Sequence, residues 1–137
     1  MPAGYSGTPL AKKLGLKEGA TALFYNLPDH YWNLFSEIPK NITKLYEVGS
    51  TEADFIHMFC TSSEELKKVA PLHKNALKKT GMLWVSWPKG SSKIPTDLKR
   101  ELIREYVLEI GLVDIKVAAV DEDWSGLKFV YRVSDRT

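Results

Sequence analysis

Apolar positions along this chain follow two different spacings. Unbroken apolar runs occur at "ATALFYN" (20–26), "DFIHMFC" (54–60) and "GMLWVSW" (81–87). Each is bounded by Gly, Pro or polar residues, the pattern of a strand covered on both faces. "TKLYEV" (43–48) is a half-polar strand, and "LVDIKVAAVD" (112–121) and "LKFVYRV" (127–133) predict two more, joined by the turn "EDWSG" and therefore antiparallel neighbours. Between these runs the spacing becomes helical. "TDLKRELIREYVLEIG" (96–111) sets Leu98, Leu102, Ile103, Tyr106, Val107 and Ile110 on one stripe, with Thr96 as cap and Gly111 as stop. "TSSEELKKVAPLHKNALKK" (61–79) predicts a helix that opens on Ser62 with Glu65 three residues on, a capping box, and that Pro71 should kink or divide. "PDHYWNLFSEI" (28–38) predicts a helix with Tyr31, Leu34, Phe35 and Ile38 on one side, ended by Pro39. "SGTPLAKKLG" (6–15), capped by Ser6 or Thr8 and stopped by Gly15, predicts a short N-terminal brace within residues 1–18.

Strands alternating with helices make this an α/β chain with an open, mostly parallel sheet of about six strands and right-handed crossovers. No linker, repeat or low-complexity stretch divides it, so residues 1–137 read as one domain. That length supports a hydrophobic core without staples.

Composition narrows the function classes. A formal net charge of +2 falls short of a dedicated nucleic-acid binder, and no recognisable nucleic-acid motif accompanies the lysine pairs at 12–13, 67–68 and 78–79. Cys60 is the single cysteine, so neither an intrachain disulfide nor a CxxC pair can form. The sequence contains no secretion signal and no run of apolar residues long enough to span a membrane, which predicts a cytoplasmic protein, a monomer or homodimer, acting on a small molecule or another protein.

In an open α/β sheet, ligands bind beyond the carboxyl ends of the strands. That geometry selects "NLPDHYW", "CTSSEE", "WPKGSSK" and "DEDWSG", and with them Asn26, Asp29, His30, Thr61, Ser62, Lys89, Ser91, Ser92, Lys93, Asp121 and Trp124. "WPKGSSK" fails the spacing of a P-loop, but Lys89 or Lys93 and Ser91 or Ser92 could hold an anion. A polar strand-to-helix connection explains the same composition. Thr61 and Ser62 suit an anion at a helix start, although capping accounts for them equally. Asp29 and His30 could serve acid-base chemistry, yet neighbours on a helix do not face one another. His57, mid-strand among Phe55, Ile56, Met58 and Phe59, reads as a hydrogen-bonded core histidine, His73 as solvated, and Cys60 as an inert buried thiol. Asp121, Glu122 and Asp123 lack the spacing of a calcium loop, and a turn with a packed Trp124 needs no metal.

Two resemblances follow from particular residues. "SGTPLAKKLG", "WVSWPK" and "GLVDIKVAAVDEDWSGLKFV" resemble a family of small bacterial proteins defined as a domain of unknown function. More loosely, "KLGLKEGATALFYN", "LKKTGMLWVSW" and "GLVDIKVAAVDEDWSGLKFV" resemble the opening, fifth and last two strands of class I S-adenosylmethionine-dependent methyltransferases. The second resemblance implies a single Rossmann-like three-layer domain, a shortened sheet of order 2-1-3-4-6-5 with the last strand antiparallel, and S-adenosylmethionine (SAM) as a possible cofactor. It also exposes a departure: the turn after strand one reads Asn26, Leu27, Pro28, Asp29, His30, without the glycines that let backbone approach the cofactor. Glu47 stands about 20 residues on, where a ribose carboxylate would sit.

Three functions are therefore expected, in order. The first is a non-catalytic or ligand-binding module resembling a degenerate methyltransferase. The second is an enzyme using an adenosyl or nucleotide-like ligand, and the third a protein interaction module presenting Tyr31, Trp32 or Trp124.

Overall fold

The computed structural model describes residues 9–136. Six strands, β1 (Thr21–Tyr25), β2 (Thr43–Leu45), β3 (Ala53–Phe59), β4 (Leu77–Pro88), β5 (Leu112–Ala119) and β6 (Trp124–Tyr131), form one sheet in the order β2-β1-β3-β4-β6-β5. The first four are parallel, while β6 is antiparallel to both β4 and β5. The order implied by the methyltransferase resemblance is the order observed. Because β6 alone is reversed, the carboxyl ends of β1, β3, β4 and β5 share one edge.

Alternation along each strand separates two cores. Leu23, Ile56, Met58, Leu83 and Val85 face α2 (Ser63–Asn75) and α3 (Arg100–Glu109), whose Leu66, Val69, Ile103 and Val107 cover them. Ala22, Phe24, Phe55, Phe59 and Trp84 face the other way, toward α1 (Leu10–Leu14) and the segment joining β1 to β2. This second cover is thin. Its anchors are Leu14 and Tyr31, both fully buried, at roughly 1.5–3 kcal/mol for an apolar side chain of that size.

The segment joining β1 to β2 departs most from the sequence reading. No α-helix forms over 28–38; only a 3-10 turn, Tyr31–Leu34, interrupts an irregular strap. Its aromatics explain why. Tyr31 and Phe35 are both buried against the sheet, Tyr31 edge-on to Phe24 and Phe59, and Ile38 is left exposed. Tertiary packing overrides the helical spacing.

Other boundaries move for local reasons. The helix expected over 61–79 stops at Asn75, because Leu77 already pairs with Ala53 of β3, and Lys78 and Lys79 belong to β4. A register shift follows, and at Gly81 a Cβ would stand 2.8 Å from the Asp54 carbonyl, so only glycine fits there. Pro71 does not divide α2. It removes the N–H that would serve the Lys67 carbonyl, and the Tyr106 hydroxyl of α3 donates to that carbonyl instead, at 3.2 Å. The helix expected over 96–111 begins only at Arg100, since the Thr96 hydroxyl accepts from the Leu98 N–H in a local turn instead of capping. β2 is three residues long rather than six, and Arg132 lies past β6, donating to the Leu108 carbonyl.

At α1, Pro9 precedes the helix and Gly15 ends it with φ 82°. The proposed caps Ser6 and Thr8 lie outside the described residues. The last carbonyls of α1 are all engaged: Ala11 and Lys12 by the Gly15 N–H, Lys13 by Lys116 Nζ at 2.8 Å, and Leu14 by the Trp84 indole at 2.7 Å. Among the described residues, no helix is long and apolar enough to cross a membrane.

Candidate functional site

The shared carboxyl edge brings together all four stretches selected from the sequence. The strap carries His30 across the sheet to the β5–β6 turn, where its Nε2 meets Asp121 Oδ2 at 2.6 Å. Asp121 is buried, and its Oδ1 accepts from the N–H groups of Asp123 and Trp124, both at 2.8 Å. Asp29, the sequence neighbour of His30, is exposed and plays no part in this pair. The carboxylate that orients the imidazole comes from 91 residues away, which sequence proximity could not disclose. Trp124 starts β6 instead of sitting in the turn, and packs edge-on to Phe59 at 5.0 Å.

The loop after β4 is tied to the same turn. The Lys89 N–H donates to the Asp123 carbonyl at 2.8 Å, and the Ser92 hydroxyl donates to Asp123 Oδ1 at 2.9 Å. Ser92 also accepts from the Ile94 N–H. Its hydroxyl therefore serves a carboxylate and its own turn, which is the structural explanation of "WPKGSSK". Ser91 and Lys93 are exposed, and a cleft of about 510 Å³ opens beside Lys89 toward the start of α3. The three acids 121–123 do not converge: Asp121 faces His30, Asp123 faces Ser92, and Glu122 is exposed.

At the ends of β1 and β3, the position at which the resemblance implies an adenosyl cofactor, polar side chains of the chain itself span the gap. Asn26 adopts φ 57°, the left-handed backbone that glycine would otherwise supply, and its amide donates to the Phe59 carbonyl at 3.2 Å. The Tyr25 hydroxyl donates to Glu65 Oε2 at 2.7 Å, and Glu65 Oε1 accepts from the Thr61 N–H at 2.8 Å. Ser62 caps α2 by accepting from the Glu65 N–H. The capping box is therefore present, with its acid reaching one residue further back than Ser62 itself. Burial, and secondarily the bond to Glu65, pushes the Tyr25 hydroxyl up to about 12. Burial likewise raises the neighbouring Cys60 thiol to about 12, with Glu65 adding to it, consistent with an inert thiol. Glu47 stands exposed two residues past β2.

Beneath the strap lies a polar chain that the residue spacing does not announce. The Tyr31 hydroxyl meets His57 Nδ1 at 2.9 Å, and His57 Nε2 meets Ser86 Oγ at 2.7 Å, with all three side chains fully buried. The expectation of a hydrogen-bonded core histidine is met. Burial depresses the imidazole to about 3, so the ring is neutral, and the two hydroxyls can each donate or accept as its tautomer requires. Strand alternation, which sets His57 with Phe55 and Phe59 on the strap side, is the signal that could have located it. His73 is also buried, not solvated: it continues the Leu66–Val69–Ala70 face of α2, its Nδ1 bonds the Val69 carbonyl, and its ring packs edge-on to Tyr25. Tyr31 and Trp124, expected as exposed partner residues, are buried.

No family model and no curated protein matches this sequence, so the "SGTPLAKKLG" resemblance rests on those residues alone. Solved structures do match in shape. The chain superposes on DhpI in complex with S-adenosylhomocysteine (SAH) with a TM-score of 0.61 at 8% identity, covering 91% of this chain and 83% of that one. A TehB-like SAM-dependent methyltransferase from Corynebacterium glutamicum gives 0.56 at 12% identity, covering 95% and 91%. Magnesium protoporphyrin IX methyltransferase from Synechocystis, with bound SAH, gives 0.54 at 9%, covering 89% and 78%. At such identities the likeness shows the fold: a single α/β sheet of the methyltransferase type, one strand order and one reversed strand in common.

Proposed function

We propose that this chain is a binding module on a methyltransferase fold that does not itself transfer methyl groups. One observation carries the reading. At the ends of β1 and β3 the Asn26 amide, the Tyr25 hydroxyl and the Glu65 carboxylate bond to one another's strands and loops, occupying the place where the related fold keeps bare backbone. Pro28 removes a further N–H from the turn, and among the described residues nothing holds Glu47, exposed beyond a three-residue β2, toward a ribose.

A second reading, an adenosyl-dependent enzyme, is favoured by two features. Neighbours in shape include DhpI in complex with SAH and magnesium protoporphyrin IX methyltransferase with bound SAH or SAM, and His30–Asp121 is an oriented imidazole–carboxylate pair at the correct edge of the sheet. The exposed-aromatic interaction surface has lost its support, since two of its three residues are buried.

Thermal unfolding in the presence of SAH and SAM separates the first two readings. A ligand at 100 times its dissociation constant stabilises the native state by about 2.7 kcal/mol, a shift of several degrees for a domain of this size. The proposal expects no shift with either compound. A shift that disappears in His30→Ala would overturn it in favour of the enzyme.

A further inference from the structure

The α1 side of the sheet carries a concentration of cations that neither the strap nor the carboxyl edge explains. Lys116 of β5 and Lys128 of β6 are direct cross-strand partners, and Lys13 and Lys17 approach from either end of the α1 turn. Like charges placed directly opposite one another on a sheet destabilise it. Lys116 has a structural task, since its ammonium donates to the Lys13 carbonyl at the end of α1. Lys128 has none. It is half-buried, and among the described residues its ammonium meets no hydrogen-bond acceptor and no carboxylate; burial, and then the positive charges of Lys116 and Lys17, lower its pKa.

Its position is defined by a close approach. A Cβ built on Gly15 would stand 3.4 Å from the Lys128 ammonium and 2.8 Å from the Met82 sulfur, so the ammonium is seated at the left-handed turn that ends α1. Gly15 and Met82 also line an adjoining pocket of about 320 Å³, together with Lys17, Phe55 and Thr80. That volume lies at the small end of ligand sites. Two acids border the pocket. Asp54 is already engaged by the Thr21 N–H and by Lys78, and Glu18 is exposed at the rim.

We propose that Lys128, flanked by Lys116 and Lys17, anchors the phosphoryl group of a small molecule whose body occupies the adjoining pocket. A phosphoryl oxygen between the two strand lysines relieves their repulsion and supplies the half-buried ammonium with an acceptor. A compact group of three lysines beside a small pocket, in a protein of net charge +2, fits a small ligand better than a polymer backbone, which needs an extended basic track.

The test is thermal unfolding in sodium pyrophosphate against sodium chloride at matched ionic strength, for the full chain and for Lys128→Met. The wild type is expected to gain at least about 3 °C in saturating pyrophosphate. Lys128→Met is expected to unfold in chloride at or above the wild-type temperature, having lost a repulsive charge, and to gain nothing from pyrophosphate. Should that variant not fold, Lys17→Gln, on an exposed residue, must at least halve the pyrophosphate response. An equal response in wild type and variants means an adventitious ion only and overturns the proposal. So does no response in the wild type, or a Lys128-dependent shift obtained solely with a single-stranded oligonucleotide. SAM and SAH carry no phosphate, so this result and the adenosyl titration succeed or fail independently.

Discussion

Acidification should destabilise this fold through His57, and the size of the effect follows from its burial. In the unfolded chain the imidazole takes up a proton near pH 6.5, whereas in the native interior, between the Tyr31 and Ser86 hydroxyls, it does so only near pH 3. The unfolded state therefore binds more protons throughout that window, and stability is full above about pH 7 and falls as the pH drops toward 3. With these two values the loss between pH 7 and pH 5 is about 2 kcal/mol, at about 1.36 kcal/mol for each full pH unit of unmatched protonation. His73, also held below its ordinary value by burial, adds to the slope with the same sign. The contribution of His57 is isolated by His57→Gln, which keeps a donor and an acceptor for the two hydroxyls but does not titrate. Urea unfolding followed by tryptophan fluorescence at pH 7, 6 and 5 gives the slopes. The variant can be less stable overall without affecting the argument, because the prediction concerns the difference in slope. If wild type and His57→Gln lose the same stability between pH 7 and pH 5, the buried neutral histidine is not the source, and the reading of the Tyr31–His57–Ser86 chain is wrong.

Three further outcomes test separate parts of the structure. Cys60, buried and held at about 12, should resist alkylation by iodoacetamide at pH 8 in the native protein and react fully in urea, as mass spectrometry would read; rapid native labelling would contradict its placement. Gly81→Ala forces a Cβ to within 2.8 Å of the Asp54 carbonyl and 3.1 Å of the Ala53 carbonyl, and should cost about 1–3 kcal/mol in urea unfolding, a neutral result refuting the close approach. Asn26→Gly keeps the left-handed turn while removing the amide on Phe59, so stability should change by no more than about 1 kcal/mol and SAH should still fail to raise the melting temperature. An SAH-dependent shift in that variant would mean that the asparagine alone had blocked an adenosyl site.

The sheet was legible because its signal is long-range and redundant. The runs at 20–26, 54–60 and 81–87 are too apolar to be anything but covered strands, and the short 112–133 hairpin pattern allowed only antiparallel neighbours. The connections were less legible, for reasons that differ from case to case. Residues 28–38 carry a helical spacing, but five consecutive positions include Tyr31, Trp32 and Phe35, and rings of that size gain more by packing edge-on to one another against the sheet than a single helix turn gains from its hydrogen bonds. Lys78 and Lys79 look like a helix end, yet the β3 edge offers Leu77 a strand partner. The rim stretches lie at one edge of the sheet, but the residue spacing did not disclose their pairings: His30 finds Asp121, 91 residues away, because a loop's partners are fixed by the sheet order and not by sequence distance.

The missing glycines and the missing crossover helix are physically a single feature. A glycine turn followed by a helix presents a row of unpaired N–H groups to a ligand, and the helix dipole adds to their pull. In this chain the strap pairs those groups within itself. The Tyr31 N–H bonds the Pro28 carbonyl, the Asn33 N–H that of His30, and the Phe35 N–H that of Trp32, while the amide of Asn26 is spent on Phe59. A strap that buries Tyr31 and brings His30 to Asp121 keeps these N–H groups bonded within itself. Restoring a glycine without restoring the helix therefore leaves the N–H groups paired within the strap. The phosphoryl site proposed at Lys128 lies on the α1 side, apart from the crevice at the carboxyl edge that the fold would suggest, so the two can be tested separately.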